Sequence, residues 1–461
     1  MTAETAAGTA AESRTRDPGA LALLAEQAAG LGFDQLPADV VALVGMAVLD
    51  TLGVAVAAVD EPVVRLVREE LTTPGSAALW GGGRADPGAA ALVNGTAAHA
   101  LDYDDYAPGS GLHPSAPLVA ALFAAAALQH GRGRAVSGRD LVTAYVAGYE
   151  VQERLGLLLW PSHYARGFHT TGTVGTVGAA AGAARLLGAD PAQMSAALGL
   201  GATDAAGLKA MFGSMGKPYH AGRAAASGLR AARLAVRGMT VGDDAVFGSQ
   251  GLVAAASGES GTAEVTTRFG EPWHVRDVLP KLNPSCFGTH AAIACAAQVR
   301  PEVGDAEVRH VELTVPPVLL NVCAIPAPRT GLEGKFSLAY TTAATLLRGE
   351  VTVASFTDEA VRAEPATTLA SRVGLVLDDT LAKTATRLRV DLADGRVLHA
   401  EHDAARRLWV ADPEEVRPRV EGKFAELAAG LPGRVELVEL LRAPDRIASV
   451  DALATLLAGG G

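Results

Sequence analysis

What most limits the fold of this chain is its first ~250 residues, where apolar side chains recur at helical spacing and the period-two alternation of strands is nearly missing. Pro37 stands in the first turn of a segment whose Val40, Val41, Val44 and Val48 share one face. Ser137, with Asp140 three places on, caps a second segment that carries Leu141, Tyr145 and Gly148 along one face, and Asp190-Pro191 opens a third. The spacing predicts an all-helical domain. Apolar residues make up 49% of the chain and aromatics only 5%, so the core must be built mostly from Ala, Val and Leu, which pack helices closely.

The pattern changes near Pro280. Val311, Leu313 and Val315 alternate with His310, Glu312 and Thr314; Leu388, Val390 and Leu392 alternate with Arg387, Arg389 and Asp391 before an Asp394-Gly395 turn and a second run at Val397-Leu398. These are two strands and a hairpin. Phe336 to Leu347 is predicted to be helical between them, and Pro413-Glu414-Glu415 opens a last helical stretch that runs to Leu457. The expected fold is therefore mainly α: a large helical domain from residues 18–277 and 411–461, an inserted α+β unit at 278–410, and a flexible tail at 1–17.

Composition excludes several functions. With 39 basic against 50 acidic residues the formal charge is −11, which together with scarce aromatics argues against a nucleic-acid partner or an anionic membrane surface. The three cysteines, Cys286, Cys295 and Cys323, contain no C-x-x-C pair, so no disulfide framework or zinc ribbon is expected and a cytoplasmic location is. Met1 to Gly19 lacks the pattern of a signal peptide. The best membrane candidate in this reading, Ala116 to Leu128, is short and dominated by alanine, so no span is expected.

Polar residues concentrate in four segments. They are Asn94 to Ser115, with Asp102-Tyr103-Asp104-Asp105-Tyr106 and His113; Gly167 to Thr173, with His169; Gly216 to Arg223, with Lys217 and His220; and Lys281 to His290, with Cys286. Taken singly, each has an ordinary reading: acidic residues cap helices or face water, and a lone buried histidine is more often a hydrogen-bonded core group. Lys217 is harder to dismiss, because Gly216 and Pro218 frame it beside His220 and Arg223 in a cationic nest suited to carboxylates. Asp102-Tyr103-Asp104-Asp105 also satisfies a D-x-D-D terpene-cyclase pattern, but a carbocation needs an aromatic-lined cavity that 5% aromatics hardly provide. A metal-dependent hydrolase would want a compact ligand pair such as H-x-x-x-H, which does not occur here. A non-catalytic binding protein for small acids is the alternative outside the enzymes.

Together the segments resemble the MmgE/PrpD family, whose members include 2-methylcitrate dehydratase, cis-aconitate decarboxylase and iminodisuccinate epimerase. NGTAAHALDYDDYAPGSGLHPS is similar to its NGxxxHxxDxDDT…HPS signature, GFHTTGTVGTVGAAAGAARLLG to its GxHxTGxxGxxGAAAAAARLLG stretch, and GKPYHAGRAA to its TKPxHAGRAA. The segments that begin at Lys281 and at Gly334-Lys335-Phe336-Ser337 are similar to its KPYPCCxxTH and KFSxPY motifs. The resemblance implies a homodimer of helical domains with an α+β lid, acting on small di- or tricarboxylates with no metal or organic cofactor. Carried over by position, it implies a site of Asp102, Tyr106, His113, His169, Lys217, Lys281 and Cys286. Lys217 and Lys281 would hold carboxylates and stabilise growing negative charge, with Tyr106 beside the substrate. His113 and His169 would move the proton, and Asp102 would orient a histidine or act as the alternative base. Tyr106 stands where many members have threonine. Cys286 stands where the decarboxylases have histidine and dehydratase-like members often have cysteine, and it could serve as a proton donor. The expected activity is that of a lyase, first a dehydratase, with decarboxylation or epimerisation as alternatives.

Overall fold

A computed structural model describes residues 19–259, 261–405 and 412–458. The expected tail at 1–17 and the boundary at 410/411 lie outside the described residues. The chain is mainly helical, with one small sheet unit inserted toward its C-terminal side.

Local signals explain where many helices start. Ser137 accepts from the Asp140 N–H at 3.1 Å while the Asp140 carboxylate accepts from the Ser137 N–H at 3.0 Å, and the helix Gly138–Leu159 follows. Asp190 caps Pro191–Thr203 in the same way with Gln193. The body is built round the helices Pro87–Ala100, Ser115–His130, Gly138–Leu159, Thr170–Leu187 and Gly216–Ala235. Their small side chains let backbones approach closely: a Cβ at Gly222 would lie 2.2 Å from the Leu92 carbonyl oxygen, so only glycine permits this crossing. The helix Pro413–Leu427 and those after it feed Val420, Phe424, Leu437 and Leu453 into the same core as Leu24, Leu52 and Leu118.

One expectation needs correction. The helix Ala38–Ala57, and not Ala116 to Leu128, is long and apolar enough by length and composition to cross a bilayer. Here it is a core helix. Most of its surface is covered, with Val40, Val44, Val48 and Leu52 buried and Phe424 packed against Gly53.

Strands β1 (Ala77–Ala78) and β2 (Arg84–Ala85) form a two-residue ladder inside the helical body. The main sheet has β3 (Val308–Val315), β4 (Val373–Leu377), β5 (Ala385–Leu392) and β6 (Val397–Asp403) in the order β4-β3-β5-β6. The β5–β6 hairpin closes at Asp394-Gly395, with Gly395 at φ +90°, and pairs Arg389 with His399. β4, which the alternation reading misses, runs parallel to β3, with Val311 opposite Val373, so a long crossover must join them. That crossover holds the helix Leu338–Arg348, two residues later in its start than expected because Ser337 caps it by accepting from the Tyr340 N–H. A second core, including Val311, Leu313, Leu388 and Phe336, lies under this unit.

Candidate active site

The site forms where the helix Pro87–Ala100 ends and the chain turns through Leu101, Asp102 and Tyr103. Three buried lysines from distant parts of the chain each cap one carbonyl of that turn. Lys335 Nζ donates to Leu101 O at 2.6 Å, Lys281 Nζ to Asp102 O at 2.8 Å and Lys423 Nζ to Tyr103 O at 2.6 Å. Lys423 also donates to Lys281 O at 3.0 Å and pairs with Asp50 at 2.6 Å. The clamp holds Asp102 at φ +50°, a left-handed conformation that costs a non-glycine residue roughly 1–2 kcal/mol and that aspartate tolerates better than most.

In that conformation the Asp102 carboxylate meets two more ammonium contacts. Its Oδ1 lies 2.8 Å from Lys217 Nζ and 2.7 Å from Lys281 Nζ. Burial alone would raise the acid's pKa, but the Lys217 and Lys281 charges outweigh it and hold the carboxyl well below the usual carboxylate range. The other oxygen, Oδ2, is buried and has no hydrogen-bond partner among the described residues.

The histidines form a second layer. Asp104 holds His99, with its Oδ2 2.7 Å from His99 Nδ1; the same oxygen is 3.5 Å from His113 Nδ1, and Asp102 Oδ1 is 3.9 Å from His113 Nε2. The His99 ring packs edge-on to His113 at 4.6 Å and stacks with His169 at 5.7 Å. His169 Nδ1 and His220 Nδ1 are 3.0 Å apart, so when they share a proton one ring donates and the other accepts. His169 Nε2 is buried without a partner. Burial pushes His113 down to about 3 and His220 to about 4, and burial with the nearby Lys217 charge holds His169 well below its ordinary range. At neutral pH these rings are uncharged, so each keeps a nitrogen lone pair, while the same burial makes them weaker bases than a free imidazole.

Six of the seven residues implied by the resemblance line one cleft: Asp102, Tyr106, His113, His169, Lys217 and Cys286. Lys281 is fully buried behind Asp102 and reaches the cleft only through that carboxylate. Tyr106 stacks on Phe287 at 4.8 Å, and burial pushes its phenol above its usual range. The Cys286 N–H donates to Lys335 O at 3.0 Å. A hydrogen bond from Cys323 lowers the Cys286 thiol against burial, which opposes it, and the same bond raises Cys323. Lys217 lies in the first turn of Gly216–Ala235, but Arg223 does not join it in a nest for carboxylates: its guanidinium donates to the carbonyls of Asp204, Gly172 and Ala206.

His99, Asp102, Asp104 and His113 offer ligand atoms within 4.8 Å of one another, close enough to hold a metal. Two ammoniums already occupy the Asp102 oxygen, and their charge opposes a cation there. Sequence reasoning placed His220 beside Lys217 but gave it no role, and it left His99, Asp104, Lys335 and Lys423 out of the site. His99 and Asp104 sit inside the NGxxxHxxDxDD string and Lys335 heads its own motif, so those had a signal; Lys423, on an otherwise ordinary amphipathic helix, had none.

Buried ammoniums gathered round one carboxylate, with uncharged imidazoles beside them, make a site that can move a proton on a small anion. The N-terminal domain of the MmgE/PrpD family matches residues 22–265 and its C-terminal domain matches residues 284–441. The chain belongs to the MmgE/PrpD family. Its relatives include a cis-aconitate decarboxylase of Aspergillus terreus, 27% identical over 95% of this chain and 96% of that protein. The human cis-aconitate decarboxylase is 29% identical over 71% of this chain and 70% of its own length. A cis-aconitate decarboxylase-like protein of Aspergillus oryzae is 29% identical over 76% and 77%.

Proposed function

We propose that this protein is a lyase acting on a small hydroxy di- or tricarboxylate, which it dehydrates without a metal or organic cofactor. The observation that carries the reading is the pair of ammoniums, Lys217 and Lys281, on one Asp102 oxygen, next to histidines kept neutral by burial. A neutral His169 or His113 takes the proton from the carbon beside a carboxylate. The C–H electron pair becomes the new C=C bond as hydroxide leaves, and the Cys286 thiol supplies the proton that turns it into water. Lys217, which lines the cleft, meets the substrate carboxylate, while Lys281 acts through Asp102.

The relatives' names favour a second reading, in which the same groups expel carbon dioxide from an unsaturated tricarboxylate and return a proton to carbon. Incubation with hydroxy tricarboxylates and with cis-aconitate, followed by product masses, distinguishes loss of water from loss of carbon dioxide. Binding without turnover of any of them would instead favour a carboxylate receptor. In this reading the sheet unit serves as a lid over the cleft and the protein works as a cytoplasmic homodimer through its helical body; light scattering at micromolar concentration checks the dimer, and a fully active monomer would contradict it.

A further inference from the structure

The cations at the inner end of the cleft are partly spent. Lys217 and Lys281 share the Asp102 carboxylate, so two positive charges face one negative charge before any substrate arrives. Lys383, which also lines the cleft, differs from both. It enters from the sheet side, on the loop before β5, and is exposed to solvent. Its ammonium has no carboxylate within ion-pair distance among the described residues.

The surroundings of Lys383 are ordered. Its Nζ lies over the Trp160 ring, 4.9 Å from the centroid. Trp160 is held by Tyr164, 5.1 Å away, and by Gly111, where a Cβ would lie 2.8 Å from the indole ring. On the other side, the neighbouring Thr384 hydroxyl donates to Asp403 at 2.6 Å and its carbonyl accepts from the Ala404 N–H at 3.0 Å, which ties the loop to the end of β6. A second ammonium, Lys209, sits 3.7 Å from the Tyr164 ring centroid, adding positive potential to the same aromatic pair. An aromatic face attracts an ammonium without cancelling its charge, so Lys383 can still pair with an anion.

We propose that Lys383, seated on Trp160, is a second carboxylate subsite, and that the preferred substrate carries a carboxylate remote from the one held at Lys217. This rests on the lyase reading and deepens it by assigning to Lys383 the second carboxylate of the di- or tricarboxylate. The inner end holds the carboxylate next to the reacting carbon. Lys383 selects by the distal one.

Calorimetry with two probes tests it: propane-1,2,3-tricarboxylate, and 2-methylbutanedioate, the same skeleton with one terminal carboxylate replaced by hydrogen. The parent protein is expected to bind the tricarboxylate about tenfold more tightly, since a partly screened charge-assisted pair contributes on that scale. Lys383→Met should remove most of that preference and leave 2-methylbutanedioate binding within about twofold, and Lys383→Arg should keep the preference. A parent with no preference, or a Lys383→Met protein that keeps it, overturns the subsite. Retained tricarboxylate preference in a parent that turns over no acid overturns the lyase reading and leaves the subsite standing. Melting temperatures of both variants confirm that the exposed substitution leaves the fold intact.

Discussion

Replacing Asp102 with asparagine keeps the size of the residue at the centre of the site and removes the charge that two buried ammoniums share. At separations of 2.8 and 2.7 Å, each attraction is about 6 kcal/mol for an effective dielectric constant near 20, before the cost of burying the ions is counted. The net loss is smaller. Breaking a buried pair by removing one partner typically costs about 3–5 kcal/mol, because the surviving charge has no compensation. A chain of this length has an unfolding entropy of roughly 1 kcal/mol/K, so Asp102→Asn should lower the melting temperature by about 3–5 °C. Because the carboxyl's folded pKa lies below its ordinary value, the parent's advantage is complete above about pH 4 and is lost only as pH falls further. Turnover should fall at least ~10²-fold, as Lys217 and Lys281 lose their common anchor. Propanedioate should stabilise the variant more than the parent, since it can replace the missing negative charge. Scanning fluorimetry with and without propanedioate, alongside steady-state kinetics, reads all three effects. A variant that melts within 1 °C of the parent and turns over normally would refute the reasoning, since nothing would then depend on the shared carboxylate.

His169→Gln should lower kcat by roughly 10²–10⁴ with little change in substrate binding, whereas Lys217→Met should impair both; full activity in either variant removes that residue from the mechanism. Lys335→Met should lower kcat more than it raises KM, because it frees the Leu101 carbonyl and with it the turn that aims Asp102, and Lys335→Arg should recover part of the loss; equal activity in all three proteins would mean the clamp plays no part in catalysis. Burial pushes Asp105 up to about 8, above its ordinary value near 4, although its bonds with Ser115 oppose the shift. The folded state therefore holds a proton that the unfolded state releases, and this group's contribution to stability falls as pH rises from about 4 to 8. Asp105→Asn should flatten that slope in melting curves across the same range, and an unchanged slope would show that Asp105 is ionised in the folded protein.

Most of the fold can be read locally. The Ser137 capping box, the Asp190-Pro191 start and the Asp394-Gly395 hairpin are each encoded within a few residues, and each forms as that chemistry dictates. β4 does not announce itself. Val373 to Leu377 is a short apolar run without alternation, and only the β3 edge beside it makes it a parallel strand. The choice of Ala116 to Leu128 as the best membrane candidate fails for a related reason: apolar length is the same in a core helix and a span, and only burial among neighbouring helices, Pro413–Leu427 among them, makes Ala38–Ala57 a core helix.

The residue types of the site, its histidines, lysines and acidic turn, were set out in the sequence by motifs spread over nearly the whole chain. Which acid does what was not. Asp102 and Asp104 are two residues apart in one string, and the sequence reading left Asp102 either to orient a histidine or to act as the alternative base. The left-handed turn sends Asp102 to the lysines and leaves Asp104 with His99 and His113. That turn is held by Lys281, Lys335 and Lys423, whose positions lie about 180, 230 and 320 residues further along the chain. No local pattern encodes such a clamp. A buried ammonium must find an acceptor, and which carbonyl it finds depends on how the sheet unit and the C-terminal helices come to rest against the body. The sequence by itself determined the helical body, the hairpin and the set of ionisable groups; only the tertiary structure decided their partners, because partners in a buried cluster are chosen by distance and desolvation across the whole fold.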